Sequence, residues 1–220
     1  MRKPLPVLLA ALLVALSVAA AAFGMADIYR SEAATLTGEG NWTEEGEGPP
    51  AWAWEQAQRY LWLASRLAPF DAQILSDLGQ LYELRGGDAP TPEASAELER
   101  ALGYYRQALA LRPAWPDAWA DVALLKVTQE DIDAEFALAL ERALALGPWQ
   151  ASVQASIAGG GLAVWDQLPA TLQTDVEHTV ARGLANGSRL MLAVARRYDL
   201  LVAPEAHPAH APASRRPPEG

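Results

Sequence analysis

Cysteine is absent from the 220 residues. That excludes disulfides, thiolate metal sites and a cysteine nucleophile, and it is compatible with either side of a bacterial inner membrane. Histidine is scarce as well. His178 falls on a predicted helix while His207 and His210 lie in a proline-rich tail, so no Ser-His-Asp spacing can be assembled. In Asp175-x-Glu177-His178, Asp175 and His178 share a helical face and Glu177 points elsewhere, the pattern of a solvated polar face. A flexible tail fixes no metal geometry for His207 and His210. Positive charge is also in short supply, with 17 Lys and Arg against 27 Asp and Glu and a formal net charge of −10. No clustered basic patch is present, which argues against nucleic acid or acidic lipid as a main partner. Gly159-Gly160-Gly161 has no preceding strand and no lysine or serine placed to hold phosphate, so it reads as a helix break. These absences leave no catalytic, cofactor-binding or metal residue to assign and no cofactor to expect.

What the chain does have begins with Arg2 and Lys3, followed by an uncharged run of 22 residues from Leu5 to Ala26, with Asp27 the first acid. As a helix, such a run spans the roughly 30 Å of bilayer hydrocarbon, and the flanking positive charge favours a cytoplasmic amino end. Residues 1–26 are therefore expected to be a single-pass inner-membrane anchor, with the rest in the periplasm. A cleaved signal peptide is the competing reading, because Ala19–Ala22 and Gly24-Met25-Ala26 offer small residues to a peptidase.

Residues 27–50 are rich in glycine and glutamate and read as a flexible acidic spacer, in which Trp42 is the one residue suited to docking. The sequons at Asn41 and Asn186 read as chance. A helical domain is expected over 51–201, and a disordered Pro-rich tail over 202–220. Helices are predicted at Ala51–Leu67, Asp71–Leu84, Pro92–Leu111, Pro116–Thr128 and Asp131–Leu146, then at Ala151–Trp165, Pro169–Ala185 and Ser188–Leu201. Asp71 suits an N-cap, Pro92 and Pro116 a first turn, and Gly147-Pro148 a stop.

Within the domain Leu75, Leu78 and Tyr82 share a helical face, and Gly79 removes a side chain where a partner helix must come close. Ala101, Tyr105, Ala108 and Leu109 form the facing stripe, and Pro113 ends that helix. Leu75-x2-Leu78-Gly79-x2-Tyr82 with Ala101-x3-Tyr105-x2-Ala108-x4-Pro113 resembles a tetratricopeptide (TPR) repeat. Ala57-x3-Leu61-x2-Ala64-x4-Pro69 and Phe136-x3-Leu140-x2-Ala143-x4-Pro148 repeat the second-helix spacing, and Trp119-x2-Val122-Ala123 the first. The stop prolines lie 44 and 35 residues apart, against a family period of about 34. The ten-residue excess is placed in a loop at Gly86–Ala96. The resemblance implies an all-α fold, a TPR-like α-solenoid of antiparallel helix pairs carrying one N-terminal transmembrane helix, with half-repeats at its ends.

A second resemblance joins the anchor to the domain. Ala26-Asp27-x-Tyr29, Trp42, Trp54-x2-Ala57, Leu78-Gly79-x-Leu81-Tyr82 and Arg112-Pro113 to Asp117, then Leu162-x2-Trp165, Arg182-Gly183-Leu184 and Arg197-Tyr198, are together similar to VpsP-type polysaccharide-biosynthesis proteins. The setting this implies is an envelope machine for exopolysaccharide synthesis and export, with the chain binding protein components as a scaffold and not as an enzyme. A glycan-binding module is the first alternative, because aromatics among the eight tryptophans can stack on sugars, although most are expected to fill helix seams. A polysaccharide-modifying enzyme is the second. Its acid pairs, Asp117 with Asp121 and Glu130 with Asp131 and Asp133, are otherwise explained by a helix start and a solvated turn. In TPR proteins the first helix of each pair lines a concave groove. Carried over, this assigns Gln73, Ser76, Asp77 and Gln80 from one repeat and Asp117, Ala120, Asp121 and Leu124 from the next. Three acids make that groove negative, which favours a basic or amide-rich protein segment over an acidic glycan.

Overall fold

A computed structural model describes residues 5–38, 49–87 and 91–200. Among them all regular structure is helical: α1 (Leu5–Thr37), α2 (Ala51–Leu67), α3 (Ala72–Gly86), α4 (Pro92–Leu111), α5 (Pro116–Thr128), α6 (Ala134–Leu146), α7 (Ala151–Ala163), a 3-10 turn (Trp165–Gln167), α8 (Ala170–Ala185) and α9 (Arg189–Arg197). The bounds of α2, α4 and α5 are those expected, with prolines at or near every end but the carboxy terminus of α5. Side-chain caps act as well, α4 included. Asp71 accepts from the Gln73 amide at 2.9 Å, Thr91 from Ala94 at 3.1 Å, and Asp133 from Phe136 at 2.9 Å. Capping by Asp133 starts α6 at Ala134, three residues later than expected.

Helices pack chiefly as consecutive pairs, α1 with α2, α3 with α4, α5 with α6 and α7 with α8, while α2–α3, α4–α5 and α5–α7 contacts join one pair to the next. The α3–α4 seam shows how. Tyr105 is fully buried against Gly79, where an added Cβ would sit 2.5 Å from the tyrosine ring. At the far end, Gly86 faces Leu98 and Ala94 in the same way, so the two helices run antiparallel. Alanines without solvent exposure, among them Ala57, Ala64, Ala101, Ala108, Ala139 and Ala143, allow the other close approaches.

Four expectations are corrected. The spacer does not begin at residue 27, because α1 continues unbroken to Thr37. Ala26 and Ala33 are buried, Tyr29 stacks on Tyr60 at 5.7 Å, and Arg30 Nε donates to Asp77 Oδ2 at 2.6 Å. The carboxy-terminal third of α1 thus supplies the first helix that α2 lacked in the sequence. Residues 39–48, with Trp42, lie outside the described residues. The loop at Gly86–Ala96 is mostly helix, since Gly86 belongs to α3 and Pro92–Ala96 open α4. The extra length is absorbed by a 20-residue α4 whose Ala94 and Leu98 are buried. Gly159-Gly160-Gly161 does not break α7. A Cβ on Gly161 would meet Val176 of α8 at 2.5 Å, so tertiary packing outweighs glycine's low helix propensity. The Glu130–Asp133 turn is ion-paired and not merely solvated. Buried Lys126 reaches Asp131 at 2.6 Å, Asp133 at 2.7 Å and Glu135 at 3.3 Å. Burial opposes the ammonium charge, yet these three acids hold its pKa above the ordinary value.

Among the described residues one helix, α1, is long and apolar enough to cross a membrane, and the most apolar window of it has a mean hydropathy of 2.5 and no burial. Helix α9 ends at Arg197, short of the expected Leu201, with Ser188 capping its start. The tail from 201 lies outside the described residues.

The Gly79–Tyr105 contact predicts non-additive energetics. Tyr105→Ala should destabilise by about 3–5 kcal/mol through its cavity, and Gly79→Leu by about 1–3 kcal/mol through overpacking. In the double variant the leucine enters the vacated space, so thermal and urea melts should show a loss well below the sum. Simple additivity would contradict the contact.

Candidate functional site

Two pockets flank α3. The first, of about 400 Å³, is lined by Gln73, Ser76 and Gln80 of α3, Trp115, Asp117, Ala120 and Asp121 at α5, and Ser152 and Ser156 of α7. Six of the eight residues expected to line a groove therefore converge: Gln73, Ser76, Gln80, Asp117, Ala120 and Asp121. Asp77 and Leu124 do not. Asp77 turns to the other side of α3, where it holds Arg30 and accepts from Gln73 Nε2 at 2.9 Å. Leu124 is set against α7, 3.2 Å from where a Cβ on Gly160 would lie. Trp115, Ser152 and Ser156 were not anticipated: Trp115 is the N-cap residue of α5, outside the carried-over helical positions, and those positions covered only two repeats and so stopped short of α7.

Helical spacing explains the convergence. Gln73, Ser76 and Gln80 are three and four residues apart and form one stripe, as do Asp117, Ala120 and Asp121. Opposite stripes bury Ile74, Leu78 and Leu81 on α3 and Ala118, Val122 and Leu125 on α5. The Ser152 hydroxyl donates to Asp117 Oδ1 at 3.1 Å, tying α7 to α5 across the groove, while Ser76, itself buried, hydrogen-bonds Asp121.

Among the described residues, no cationic side chain lines this groove. Burial, with the charges of Glu83 and Asp117 adding to it, pushes the Asp121 carboxyl up to about 7, and the Ser76 hydrogen bond offsets only part of that. Behind it the Tyr105 hydroxyl donates to Glu83 Oε2 at 2.6 Å. Burial raises the Glu83 pKa, partly countered by this bond, and raises that of Tyr105 further with Glu83 nearby.

The second pocket, of about 860 Å³, lies where α1 meets α2 and α3, with Arg30, Ala33, Leu61, Asp77 and Glu83 among its walls. Glu83 and Asp121 are thus two partly buried, mutually repelling carboxylates, but they open on different pockets. His178, Asp175 and Glu177 are all exposed on α8, and among the described residues no three His, Asp or Glu side chains form a group able to hold a metal. Trp54 and Trp115 are buried, Trp119 and Trp165 half-buried, and Trp52, Trp62 and Trp149 exposed on separate turns and helices, so seam filling accounts for only part of the tryptophan set.

No family model, curated protein or solved structure matches the chain. Its two family resemblances therefore rest on the residues quoted above.

Asp121 gives a pH prediction. With a folded pKa near 7 against an ordinary 3.8, the native state retains a proton that the unfolded chain releases. Stability should fall as pH rises from about 4 to 7 and level off above. Glu83 acts in the same direction, whereas Asp133 and Glu135, whose pKa values are lowered, complete their stabilising contribution by about pH 5. Melting curves between pH 5 and 8 should show this decline. Asp121→Asn should make it shallower, leaving the Glu83 contribution, and raise stability more at pH 8 than at pH 5; an unchanged slope would show that the Asp121 carboxylate is already ionised in the fold.

Proposed function

We propose that the protein is a membrane-anchored scaffold in which a TPR-like stack of helix pairs binds a basic or amide-rich segment of a protein partner. The observation that carries this reading is the groove between α3, α5 and α7, where successive pairs each contribute polar side chains and, among the described residues, no cation lines it beside Asp117 and Asp121. A lysine or arginine entering it would return Asp121 to its charged form, while Gln73, Gln80, Ser152 and Ser156 offer donors and acceptors to a peptide backbone. Positive charge at Arg2 and Lys3 favours an inner-membrane anchor with the helical domain in the periplasm. The similarity to VpsP-type proteins makes exopolysaccharide synthesis and export the setting.

The scaffold reading is favoured over the two alternatives on specific grounds. Sugar stacking calls for exposed, neighbouring aromatics, and the groove holds only Trp115, which is 7% exposed. Glycoside cleavage calls for two carboxylates on either side of one bond, whereas Asp117 and Asp121, the pair this groove does hold, sit one turn apart on the same face of α5, and Glu83 lines the other pocket.

The test is a photo-crosslinking residue at Gln80 in intact cells, with identification of the captured chains. Asp117→Lys, at a half-exposed site, should abolish capture and polymer output while changing stability by no more than about 1 kcal/mol. Unchanged capture of the same chains would place the binding surface elsewhere.

A further inference from the structure

We infer that the edge of the helical domain formed by the α2–α3, α4–α5 and α6–α7 turns rests on the surface of the bilayer that α1 enters. This rests on the reading of α1 as a membrane span. Three observations lead to it, and the first is height. Helices α1 and α3 run parallel, since Arg30 pairs with Asp77 and their carboxy-terminal neighbours Gly38 and Gly87 line one pocket. Ala72, where α3 begins, precedes Asp77 by the same five residues that separate Met25 from Arg30. The α2–α3 turn is therefore level with Met25, at the end of the uncharged run, to within about one helical turn of 5.4 Å. Phe23 and Met25 are 57% and 45% exposed, so the apolar surface of α1 reaches the height of that turn.

The second observation is that the next two turns share this edge. Because α4 is antiparallel to α3 with Tyr105 opposite Gly79, Leu111 comes level with Gln73. A Cβ on Gly147 would meet Pro116 at 2.8 Å, which sets the α6–α7 turn against the start of α5.

The third is chemistry. The three turns and the helix ends entering them expose Trp62, Leu67, Phe70, Leu111, Leu146 and Trp149, with Phe70 at 84% and Trp149 at 74%. Arginines accompany the aromatic rings: Arg66 lies over Trp62 at 5.3 Å, Arg112 over Trp115 at 5.0 Å and Arg182 over Trp149 at 5.0 Å. The opposite edge differs. Its α5–α6 turn carries Glu130, Asp131 and Asp133 and its α7–α8 turn Asp166, and neither turn has an exposed large apolar side chain. Trp52 and Leu84 are exposed toward that edge, but on separate helices, and Arg85 there lies at 4.0 Å over the ring of Trp54, which is buried. Tryptophan with arginine is the pairing that suits the headgroup layer, and although the net charge of −10 disfavours acidic lipid for the chain as a whole, Arg66, Arg112 and Arg182 put positive charge at this edge beside Asp71 and Asp117.

The absence of cysteine allows unique labelling. Full-length single-cysteine variants Val14→Cys, Phe70→Cys, Trp149→Cys and Glu130→Cys carry a nitroxide in vesicles of phosphatidylethanolamine and phosphatidylglycerol. Collision rates with oxygen, which concentrates in lipid, are compared with those of a water-soluble nickel chelate. The expected result is an oxygen-to-nickel ratio highest at Val14 and several-fold higher at Phe70 and Trp149 than at Glu130. A bilayer signal at Val14 with Phe70 or Trp149 as aqueous as Glu130 overturns the edge-on arrangement. An aqueous Val14 overturns the membrane span on which it rests. Circular dichroism on each labelled variant confirms that helicity is retained.

Discussion

Small residues in helical register impose the constraint on which the structure depends. A stripe such as Ala57, Leu61 and Ala64 on α2 is buried only when another helix comes close enough for alanine to touch it. Each helix that satisfies a neighbour presents a second stripe of its own, so the stack grows pairwise until a face can meet water. At the amino end the helix that closes the stack is α1, through Ala26, Tyr29, Ala33 and the Arg30–Asp77 pair. One uninterrupted helix therefore serves as apolar segment and as first packing element. No hinge among its described residues separates the helical domain from whatever environment surrounds Val7–Phe23.

That same constraint separates what was legible in the sequence from what was not. Helices bounded by Pro92, Pro116 and Asp71 were readable because their ends are local chemistry, and the Gly79–Tyr105 fit was readable because both residues fall in repeat register. The extension of α1 was obscured by Asp27, Arg30 and Glu32 and by the glycine and glutamate that follow. Yet Ala26, Tyr29, Ala33 and Leu36 already carried helical spacing. The glycine triplet misled for the opposite reason: local propensity argued for a break, while Val176 and Leu124 needed the room that Gly161 and Gly160 leave. In the groove, stripe geometry located Gln73, Ser76, Gln80, Asp117, Ala120 and Asp121. The diversion of Asp77 to Arg30 depended on α1 being present, which periodicity within the repeats alone does not show.

The electrostatics of the domain are divided in a way that bears on function. Acids at the α5–α6 turn are consumed structurally, clamping Lys126 and, through the bidentate pairing of Arg106 with Glu135, joining α4 to α6. Those in the α3–α5–α7 groove are not matched by any lining cation among the described residues, and Asp121 is held there with a raised pKa. A partly buried carboxylate without a cationic partner is a standing energetic disadvantage to the fold. In the scaffold proposed above, a basic segment of the partner relieves it.

The central claim is that α1 is continuous into the helical domain, and amide hydrogen exchange on the full-length protein in detergent micelles tests it most directly. Residues 27–37 should exchange as slowly as the middle of α3, against which Arg30 is anchored. Exchange of that segment at the rate of an unstructured linker, with α3 still protected, would contradict the account.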